Sequence, residues 1–481
     1  MTEIHRWGHL IDGRWSDAGA AGLRTHNPAH PQQAVGEYAA GAVAEAGQAL
    51  AAARRAQRAW GRVPPLERCA AVARWLDAVQ ARGDAIAEAT VREQGKPLGE
   101  ARGELGKSLA EARAMLGLAL RGHGEVMPAA RNGFRNLVLR RPRGVIVAVS
   151  PWNFPIMTPL RKIVPALVYG NAMVLKPSEF TPAAACIAAD ASRGVLPDGL
   201  LQLVNGDGAL GAALVAGPGV DGISFTGSIA TGRRIYAAAA GSLAELSLEL
   251  GGKNAAIVHD TPDVDAALDA ISGAAFAVCG QRCTAISRIL VHRDLHGQVV
   301  DGLVARARAL RLGDGLLPGV TTGPLIHDAH RSKVAGMVER AVAGGAELLT
   351  GGAAVQPESA PQGFFYAPTL LDRVDPGSEI AREEVFGPVL TIQSFGDLDE
   401  ALALANGVEH GLTGALFSQQ HSVVQRFLDE CETGMLHVNH GTVPDNHMPF
   451  GGIKHSGVGA FSSVGPSAIQ FYTTEHSAYL A

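Results

Sequence analysis

Short apolar runs alternate with helical stretches from residue 143 onward, and this alternation is the strongest structural pattern in the chain. Strands that are apolar on both faces and are joined by helices form parallel sheets with helices packed on both sides. The pattern therefore predicts a doubly wound α/β unit, whose ligands bind at the carboxyl ends of its strands. The predicted strands are 144–149, 172–175, 200–204, 222–225 and 247–250, and the predicted helices are 182–192, 209–216 and 230–240.

A helical region precedes this unit, and a second series of strands and helices follows it. Residues 42–121 are predicted to be helical, with spaced apolar positions in an alanine-rich background at 42–60 and a repeat of that pattern at 66–93. The second series begins at Asn254 and predicts another α/β domain, with the seam near Gly251 and Gly252. Its predicted strands are 255–258, 289–291 and 390–392, and its predicted helix is 299–310.

Two further segments fit neither series. Residues 123–142 are predicted to form a hairpin, and the weakly alternating tail at 471–480 is predicted to be a strand. A separate β element is therefore expected beside the two α/β domains.

Composition narrows the class of protein. A chain of 481 residues is expected to hold about three domains on a prior of ~150 residues each, which excludes a single small binding module. The net charge is −5 and 18% of the residues are charged, so there is no basic surface for nucleic acid or anionic lipid. No apolar run approaches the ~20 residues that span a bilayer, and His5, Arg6 and Asp12 stand where a secretory signal would be apolar. A soluble, cytoplasmic protein is expected.

Glycine and cysteine usage point to tight turns and to thiol chemistry. The chain has 59 glycines, well above the average of ~7%, which implies many turns or close backbone approaches to a ligand. The five cysteines are scattered and match neither a disulfide framework nor a zinc spacing. No metal is expected, and any cysteine that matters acts as a thiol.

Two glycine-containing segments follow predicted strands and open predicted helices, where phosphates bind. Gly206, Gly208 and Gly211 match the GxGxxG dinucleotide pattern but lack a clear acidic residue about 20 positions further on. The segment from Phe225 to Ser228 can present free amides and a hydroxyl to a phosphate. A plain serine N-cap explains Ser228 equally well.

Three residues are candidates for covalent chemistry. Cys283 follows Gly-Gln-Arg in a predicted turn where a thiol can be exposed, although most single cysteines are core residues. Glu249 interrupts an apolar strand, so it is either a general base or an ion-paired strand end beside Lys253. Asn153 lies just beyond a strand, where its amide could stabilise an oxyanion or simply serve a turn.

Together these segments resemble the aldehyde dehydrogenase superfamily, in the right order from about residue 10 to the C-terminus. The distance of 34 residues from Glu249 to Cys283 is also similar to that of the family. Seven ordered motifs make the resemblance specific. They are 151–155, 176–179, 225–228, 248–253, 280–283, 383–388, and 449–452 with Lys454, Ser456 and Gly457.

The resemblance implies an aldehyde dehydrogenase-like α/β fold with two doubly wound domains and a β bridging arm. On this basis the NAD(P)-binding domain comprises 1–122 and 143–252, and the catalytic domain comprises 253–455. The bridging and oligomerisation arm comprises 123–142 and 456–481. Members of the family join through that arm, so a homodimer or homotetramer is expected.

The resemblance also implies a mechanism. Cys283 attacks the aldehyde carbon, and the Asn153 amide and the Cys283 backbone N–H hold the oxyanion while hydride leaves for the nicotinamide. Glu249 then activates the water that hydrolyses the thioester, and a carboxylic acid is released.

The implied cofactor is NAD, with NADP as the alternative. Lys176 and Glu179 resemble ligands of the adenosine ribose, where a 2′-phosphate would meet the charge of Glu179. Ser228 resembles a pyrophosphate ligand, and Glu384 and Phe386 resemble ligands of the nicotinamide ribose. The full set of candidate cofactor residues is Trp152, Lys176, Glu179, Gly208, Phe225, Ser228, Glu384 and Phe386.

The substrate candidates begin on a predicted helix beyond Asn153. Arg161 stands about two helical turns further on, and Arg161-Lys162 resembles succinate-semialdehyde dehydrogenases, which favours a carboxylated or otherwise polar aldehyde. Ala277, where those enzymes have a second arginine, and the loop 440–447 argue against that narrower class. An outward or ion-paired Arg161 is the alternative. The candidate substrate residues are Phe154, Met157, Arg161 and Phe450.

Two departures from the family pattern and two competing functions stay open. Val278 stands where the family often has asparagine, and Cys279 either forms a protective disulfide with Cys283 or lies in the core. A coenzyme A-acylating enzyme tends to lack the glutamate base, so Glu249 argues against that function. A catalytically retired member with a structural or binding role is disfavoured by the intact Cys283, Glu249 and Asn153.

Overall fold

The computed structural model describes residues 4–17 and 22–481, and the expectations that touch residues 1–3 and 18–21 lie outside the described residues. The helices are α1 (Val43–Trp60), α2 (Pro65–Gln80), α3 (Gly83–Gln94), α4 (Leu98–Leu118), α5 (Met157–Val168), α6 (Ala183–Asp190), α7 (Gly208–Val215), α8 (Ile229–Ala239), α9 (Val264–Phe276), α10 (His296–Ala309), α11 (Asp328–Ala343), α12 (Glu379–Arg382), α13 (Leu398–Asn406), α14 (His421–Glu430) and α15 (Ala468–Tyr472).

The strands of the first half of the chain are β1 (His5–Trp7), β2 (Leu10–Ile11), β3 (Arg14–Trp15), β4 (Leu23–Asn27), β5 (His30–Tyr38), β6 (Gly124–Met127), β7 (Arg135–Pro142), β8 (Val145–Val149), β9 (Ala172–Lys176), β10 (Leu201–Leu203), β11 (Gly222–Thr226) and β12 (Glu245–Glu249). Those of the second half are β13 (Asn254–Val258), β14 (Ile286–His292), β15 (Glu347–Thr350), β16 (Thr369–Asp372), β17 (Val389–Phe395), β18 (His410–Gly411), β19 (Thr413–Phe417), β20 (Met435–Val438), β21 (Ile453–Lys454), β22 (Gly457–Gly459) and β23 (Thr473–Leu480).

An eight-stranded sheet forms the centre of the first α/β unit. Its five middle strands are parallel in the order β12-β11-β8-β9-β10, as the alternation predicts. The sequence predicts an all-parallel sheet, and the edges of the observed sheet differ from this prediction. Strand β2 pairs with β10, and β22 pairs with β12, both in antiparallel fashion. These strands are only two and three residues long, too short to appear as a periodic apolar run.

A seven-stranded sheet forms the centre of the second unit. Six strands are parallel in the order β16-β17-β14-β13-β19-β20, and β15 closes one edge in antiparallel fashion. One apolar cluster lies beneath α9 and α10, and another lies beneath α13 and α14. The second doubly wound unit predicted from the sequence is therefore confirmed.

The helical region before the first sheet is confirmed, with one difference. The segment 66–93 forms two helices, because α2 ends at Gln80 and the chain turns before Gly83 opens α3. Helix α3 ends at Gln94 and is capped by Gly95, whose φ of 94° is a left-handed conformation that favours glycine. None of the helices in the described ranges is long and apolar enough to cross a membrane.

The predicted hairpin and tail strand are also confirmed. Strands β6, β7 and β23 form a separate antiparallel sheet. The residues that precede β23 in the segment 456–481 belong to the first α/β unit and not to this sheet. Strand β22 extends the first sheet, and Phe471 and Tyr472 of α15 are buried in the core of that unit. Within the segment 456–481, only β23 thus lies in the arm sheet.

Candidate active site

A cavity of about 230 Å³ opens where the carboxyl edge of the first sheet meets helices α4 and α5 and the turn before β14. It contains two of the three predicted catalytic side chains and all four predicted substrate side chains. These residues are Glu249, Cys283, Phe154, Met157, Arg161 and Phe450. The third predicted catalytic residue, Asn153, is buried beside it and contacts the turn that carries Cys283.

The turn that presents Cys283 has an uncommon backbone. Val278 and Cys279 both have a φ of 55°, and Gly280 follows with a φ of 68°. A Cβ atom at Gly280 would lie 2.2 Å from the carbonyl oxygen of Gly387, so no other residue fits there without a shift of the backbone. A left-handed conformation is costly for a β-branched valine and persists only where surrounding contacts impose it.

Gln281 supplies those contacts. Its buried side-chain amide donates to the carbonyl oxygens of Val278 (3.1 Å) and Pro324 (3.2 Å), and its Oε1 accepts the Ile326 N–H (3.0 Å). Its backbone carbonyl accepts from Asn153 Nδ2 at 2.8 Å. Sequence reasoning missed Gln281, although its place inside the Gly-Gln-Arg-Cys motif was the available signal.

Asn153 is fixed from its other side by a buried ion pair. Lys96 Nζ lies 2.6 Å from Glu104 Oε2 and donates to the Asn153 carbonyl at 2.8 Å. Glu104 Oε1 accepts the N–H groups of Ile156 and Met157 at the start of α5, both at 3.0 Å. The side-chain amide of Asn153 thus has a set orientation, and its second Nδ2 hydrogen has no acceptor among the described residues.

The thiol of Cys283 is protonated at neutral pH. Burial raises the pKa of Cys283 to about 12, and the carboxylates of Glu384 and Glu249 act in the same direction. The charges of Arg161 and Arg282 oppose that shift. The nucleophilic form is the thiolate, so this site needs a base or an added positive charge to produce it.

We expect alkylation of Cys283 by iodoacetamide to accelerate steadily from about pH 7 to about pH 9, because the thiolate fraction of a thiol far below its pKa grows roughly tenfold per pH unit. Mass spectrometry of the Cys283 peptide measures this rate without the cofactor. The partly exposed Cys431 is followed as an internal reference. A rate that reaches a plateau below about pH 8 would show that the thiol is already activated in the free protein.

Glu249 is a buried carboxylate at the end of β12. Ser463 Oγ donates to its Oε1 at 2.8 Å, and Thr226 Oγ1, opposite it in the register, lies 3.4 Å from its Oε2. The alternative of an ion pair with Lys253 is not what the described residues show, since Lys253 Nζ is buried without a hydrogen-bond partner. A buried carboxylate with no paired cation, in the same cavity as a thiol, is arranged as a base.

The candidate adenosine and phosphate residues lie at the carboxyl ends of β9 and β11. Lys176 Nζ is 3.1 Å from Glu179 Oε2, and Glu179 is partly exposed. Ser228 is the N-cap of α8 and accepts the Thr231 N–H at 3.3 Å, which agrees with the N-cap alternative. Helix α7 begins at Gly208, and the carboxylate of the preceding residue, Asp207, caps its N-terminus.

Three further candidate cofactor residues are Trp152, Glu384 and Phe386. The Trp152 and Phe386 rings are edge to face with centroids 5.4 Å apart, and His330 Nε2 lies 2.7 Å from the Phe386 carbonyl oxygen. Glu384 Oε1 accepts the Gly252 N–H at 3.1 Å, and burial raises the pKa of Glu384 to about 7. Sequence reasoning missed His330, whose contact holds Phe386 in a left-handed conformation with a φ of 58°.

Arg161 lines the cavity and is also ion-paired, and Cys279 lies in the core, as one of the two interpretations of its sequence position predicts. The Arg161 guanidinium donates to both carboxylate oxygens of Glu111, at 2.7 and 2.9 Å, and stacks 4.5 Å from the centroid of Phe450. Cys279 is a free thiol buried in an apolar cluster with Leu325. Arg161 is therefore ion-paired, and Cys279 is a core residue.

Comparison with known proteins identifies the family. The model of the aldehyde dehydrogenase family matches residues 15–477. The chain belongs to the aldehyde dehydrogenase family. Membership confirms the predicted fold class and reaction type, which is the NAD(P)-dependent oxidation of an aldehyde.

Similar proteins cover nearly the whole chain. The 3,6-anhydro-α-L-galactose dehydrogenase of Streptomyces coelicolor is 38% identical over 96% of this chain and 94% of that protein. The α-ketoglutarate semialdehyde dehydrogenase of Haloferax volcanii is 35% identical over 98% of each chain. The crystal structure of a betaine aldehyde dehydrogenase point mutant from Staphylococcus aureus, in complex with NAD⁺, aligns with a TM-score of 0.95 and 30% identity over 99% of this chain and 97% of that one.

Proposed function

We propose that this aldehyde dehydrogenase oxidises its substrate on Cys283 and releases the acid by hydrolysis directed by Glu249. The observation that carries the proposal is the placement of Cys283 and Glu249 on the wall of one cavity, with the Asn153 amide held against the turn of the nucleophile. A thiol, a base and an amide donor are the groups that acyl transfer through a covalent intermediate requires.

The first half of the reaction is addition to the carbonyl. Cys283 Sγ loses its proton and attacks the aldehyde carbon as the thiolate, whose charge is favoured by the guanidinium groups of Arg161 and Arg282. The oxyanion that forms accepts from the second hydrogen of Asn153 Nδ2 and from the Cys283 backbone N–H, which has no acceptor among the described residues. Departure of hydride from the same carbon leaves a thioester on Cys283.

The second half is hydrolysis of that thioester. Glu249 takes a proton from a water molecule, the water oxygen bonds to the acyl carbon, and the thiolate of Cys283 leaves as the acid forms. The hydrogen bond from Ser463 fixes the carboxylate without neutralising its charge. Because this base is present and buried in the cavity, transfer to coenzyme A is the less favoured outcome.

The cofactor residues fit a nicotinamide dinucleotide. The first turn of α8 contains no acidic residue, so its backbone N–H groups and the Ser228 hydroxyl could donate hydrogen bonds to a pyrophosphate. Lys176 with Glu179 at one end and Glu384 with Phe386 at the other are placed for the two riboses. The nicotinamide supplies the hydride acceptor when NAD is bound.

NAD is expected to be used in preference to NADP. The Glu179 carboxylate would face a 2′-phosphate, and two like charges at ~4 Å cost from ~1 kcal/mol in water to ~4 kcal/mol at an effective dielectric of 20, or roughly fivefold to several hundredfold. The ratio of kcat/KM for the two cofactors measures this preference. Glu179→Gln should shrink the ratio, and a wild-type kcat/KM that is larger with NADP would refute the assignment.

We further propose that the substrate is a carboxylated aldehyde. The Haloferax relative is named for such a compound, and two of the cationic side chains that line the cavity, Lys107 and Arg282, form no ion pair with a carboxylate of the described residues. Steady-state rates with NAD over aliphatic, aromatic and carboxylated aldehydes test both the reaction and this class. If none of the aldehydes in the panel is oxidised, the proposed reaction is contradicted. If carboxylated and uncharged aldehydes are oxidised at equal rates, the proposed substrate class is contradicted.

The predicted domain limits and the assembly remain proposals. Strands β6, β7 and β23 expose Val126, Met127 and Tyr479, apolar side chains that a second copy of the chain would cover. We propose that this sheet joins subunits into a dimer or tetramer. Light scattering after size-exclusion chromatography measures the mass, and a monomer would contradict the proposal.

A further inference from the structure

Four cationic side chains line the cavity, and two of them are already neutralised. Lys96 is paired with Glu104 at 2.6 Å. Arg161 is paired with Glu111 in a two-point contact. Because a substrate carboxylate would have to displace Glu111, Arg161 is a poor anchor for it.

Arg282 is one of the two cations of the cavity that form no ion pair with a carboxylate of the described residues. Its Nε is buried without a hydrogen-bond partner, and its Nη2 donates to the Thr284 hydroxyl at 3.2 Å. No carboxylate lies within ion-pair distance of it in the described ranges. Glu100 is the acidic residue that acts on it electrostatically, and Glu100 Oε2 is held by the Val278 N–H at 3.0 Å. Arg282 is half-buried and lines the cavity without a paired carboxylate, so an anionic group of a ligand in the cavity could pair with it.

Lys107 adds a second positive charge to the same wall. Its Nζ donates to the Pro444 carbonyl at 2.6 Å, and no carboxylate forms an ion pair with it among the described residues. Burial and the charges of Arg161 and Arg282 lower the pKa of Lys107, to about 8, so the two unpaired cations influence each other across the cavity. An anion between Lys107 and Arg282 would relieve both.

The unpaired guanidinium of Arg282 lies next to the proposed nucleophile in the sequence. Arg282 directly precedes Cys283, and consecutive Cα atoms are only ~3.8 Å apart. Both residues also line the same cavity, so a short molecule held by the Arg282 guanidinium can reach the thiol with its other end. The neighbouring carboxylate of Glu100 disfavours a doubly charged group such as phosphate and leaves a single carboxylate as the better match.

We propose that Arg282, assisted by Lys107, binds the carboxylate of a short ω-oxo acid while the aldehyde carbon of that acid lies at Cys283. This inference rests on the aldehyde oxidation proposed above. Arg282 and not Arg161 is the residue that selects the charged substrate, because Arg282 lines the cavity with no carboxylate of the described residues within ion-pair distance, whereas Arg161 is already paired with Glu111.

The test compares succinic semialdehyde with butanal, which has the same carbon chain without the carboxylate. In Arg282→Leu, kcat/KM for the semialdehyde should fall by about 10- to 100-fold, mainly through KM, while kcat/KM for butanal changes by roughly threefold or less. Arg161→Leu is the matched control, and it should affect the two substrates by the same factor. An equal loss for both substrates in Arg282→Leu would overturn the proposal.

A second variant and a binding measurement cover the case in which Arg282→Leu fails to fold. Arg282→Lys keeps the charge and should retain part of the preference for the semialdehyde. In the Cys283→Ala protein, calorimetry should detect binding of succinate that is lost when Arg282→Leu is added. Binding that survives this second substitution would overturn the proposal.

The outcomes separate this proposal from the one on which it rests. If the wild-type protein with NAD oxidises butanal but shows no preference for succinic semialdehyde, the anchor is wrong and the aldehyde oxidation stands. If it oxidises neither, the proposed function fails first. A preference for glyceraldehyde 3-phosphate that depends on Arg282 would replace the carboxylate by a phosphate and overturn the stated class.

Discussion

Replacing Cys283 with alanine is expected to abolish aldehyde oxidation and to leave NAD binding intact. Of the five cysteines, all of which lie in the described residues, only Cys283 lines the cavity that contains Glu249. Removal of a covalent nucleophile costs about 10⁴-fold or more in kcat, because water attack in the same site is the sole remaining route. Initial rates of NADH formation measure the loss, and NAD binding is followed by the quenching of protein fluorescence.

Cys279→Ala is the matched control for this prediction. Cys279 lies four residues earlier in the same turn, but it is buried in an apolar cluster and burial raises the pKa of its thiol strongly. The variant should keep its catalytic rate even if it loses some thermal stability, because alanine leaves a small cavity in the cluster. Activity that persists in Cys283→Ala and disappears in Cys279→Ala would transfer the nucleophile to Cys279.

Replacing Glu249 with glutamine is expected to separate the two halves of the reaction. A carboxamide accepts the Ser463 hydrogen bond but does not take a proton from water, so the thioester should persist. Rapid mixing of enzyme, NAD and aldehyde should show a burst of about one NADH per subunit. The steady rate that follows should be about 10²-fold or more below that of the wild-type protein.

Ser463→Ala serves as the control for the glutamine variant. It removes the hydroxyl that holds Glu249 and leaves the carboxylate in the cavity, so it should lower turnover modestly and show no burst. Unchanged steady-state turnover in Glu249→Gln would remove this residue from the mechanism. A burst in both variants would assign the slow step to the orientation of the carboxylate and not to its basicity.

The strands that carry the site could be predicted because they are buried on both faces. Apolar runs between 144 and 250 correspond to β8 through β12, and the candidate residues follow those runs in sequence. Since the carboxyl ends of parallel strands meet at one edge, Asn153 beyond β8 and Glu249 at the end of β12 could be expected to converge. Cys283 lies before β14 of the second sheet, so this rule does not place it, and only the structure brings its turn against Asn153 and its thiol into the cavity with Glu249.

The contacts that hold these residues could not be predicted, because they join distant parts of the chain. Lys96 reaches the carbonyl of Asn153 across 57 positions, and Arg161 meets Glu111 across 50. Neither pair shares a helix turn or a strand, so no local spacing reveals it. The same limit explains the outcome for two arginines: the sequence left open whether Arg161 binds substrate or forms an ion pair, and it is paired, whereas Arg282 received no role of its own in the Gly-Gln-Arg-Cys motif and forms no ion pair with the described residues.

The most direct test of the proposed mechanism is to identify the acyl group on the enzyme. The Glu249→Gln protein is mixed with NAD and aldehyde, quenched in acid during the slow phase, digested and analysed by mass spectrometry. The mechanism predicts that the peptide containing Cys283 carries the mass of the acyl group and that the peptides of the other four cysteines do not. NADH formed in a burst with no acyl group on Cys283, or with the acyl group on another cysteine, would contradict it.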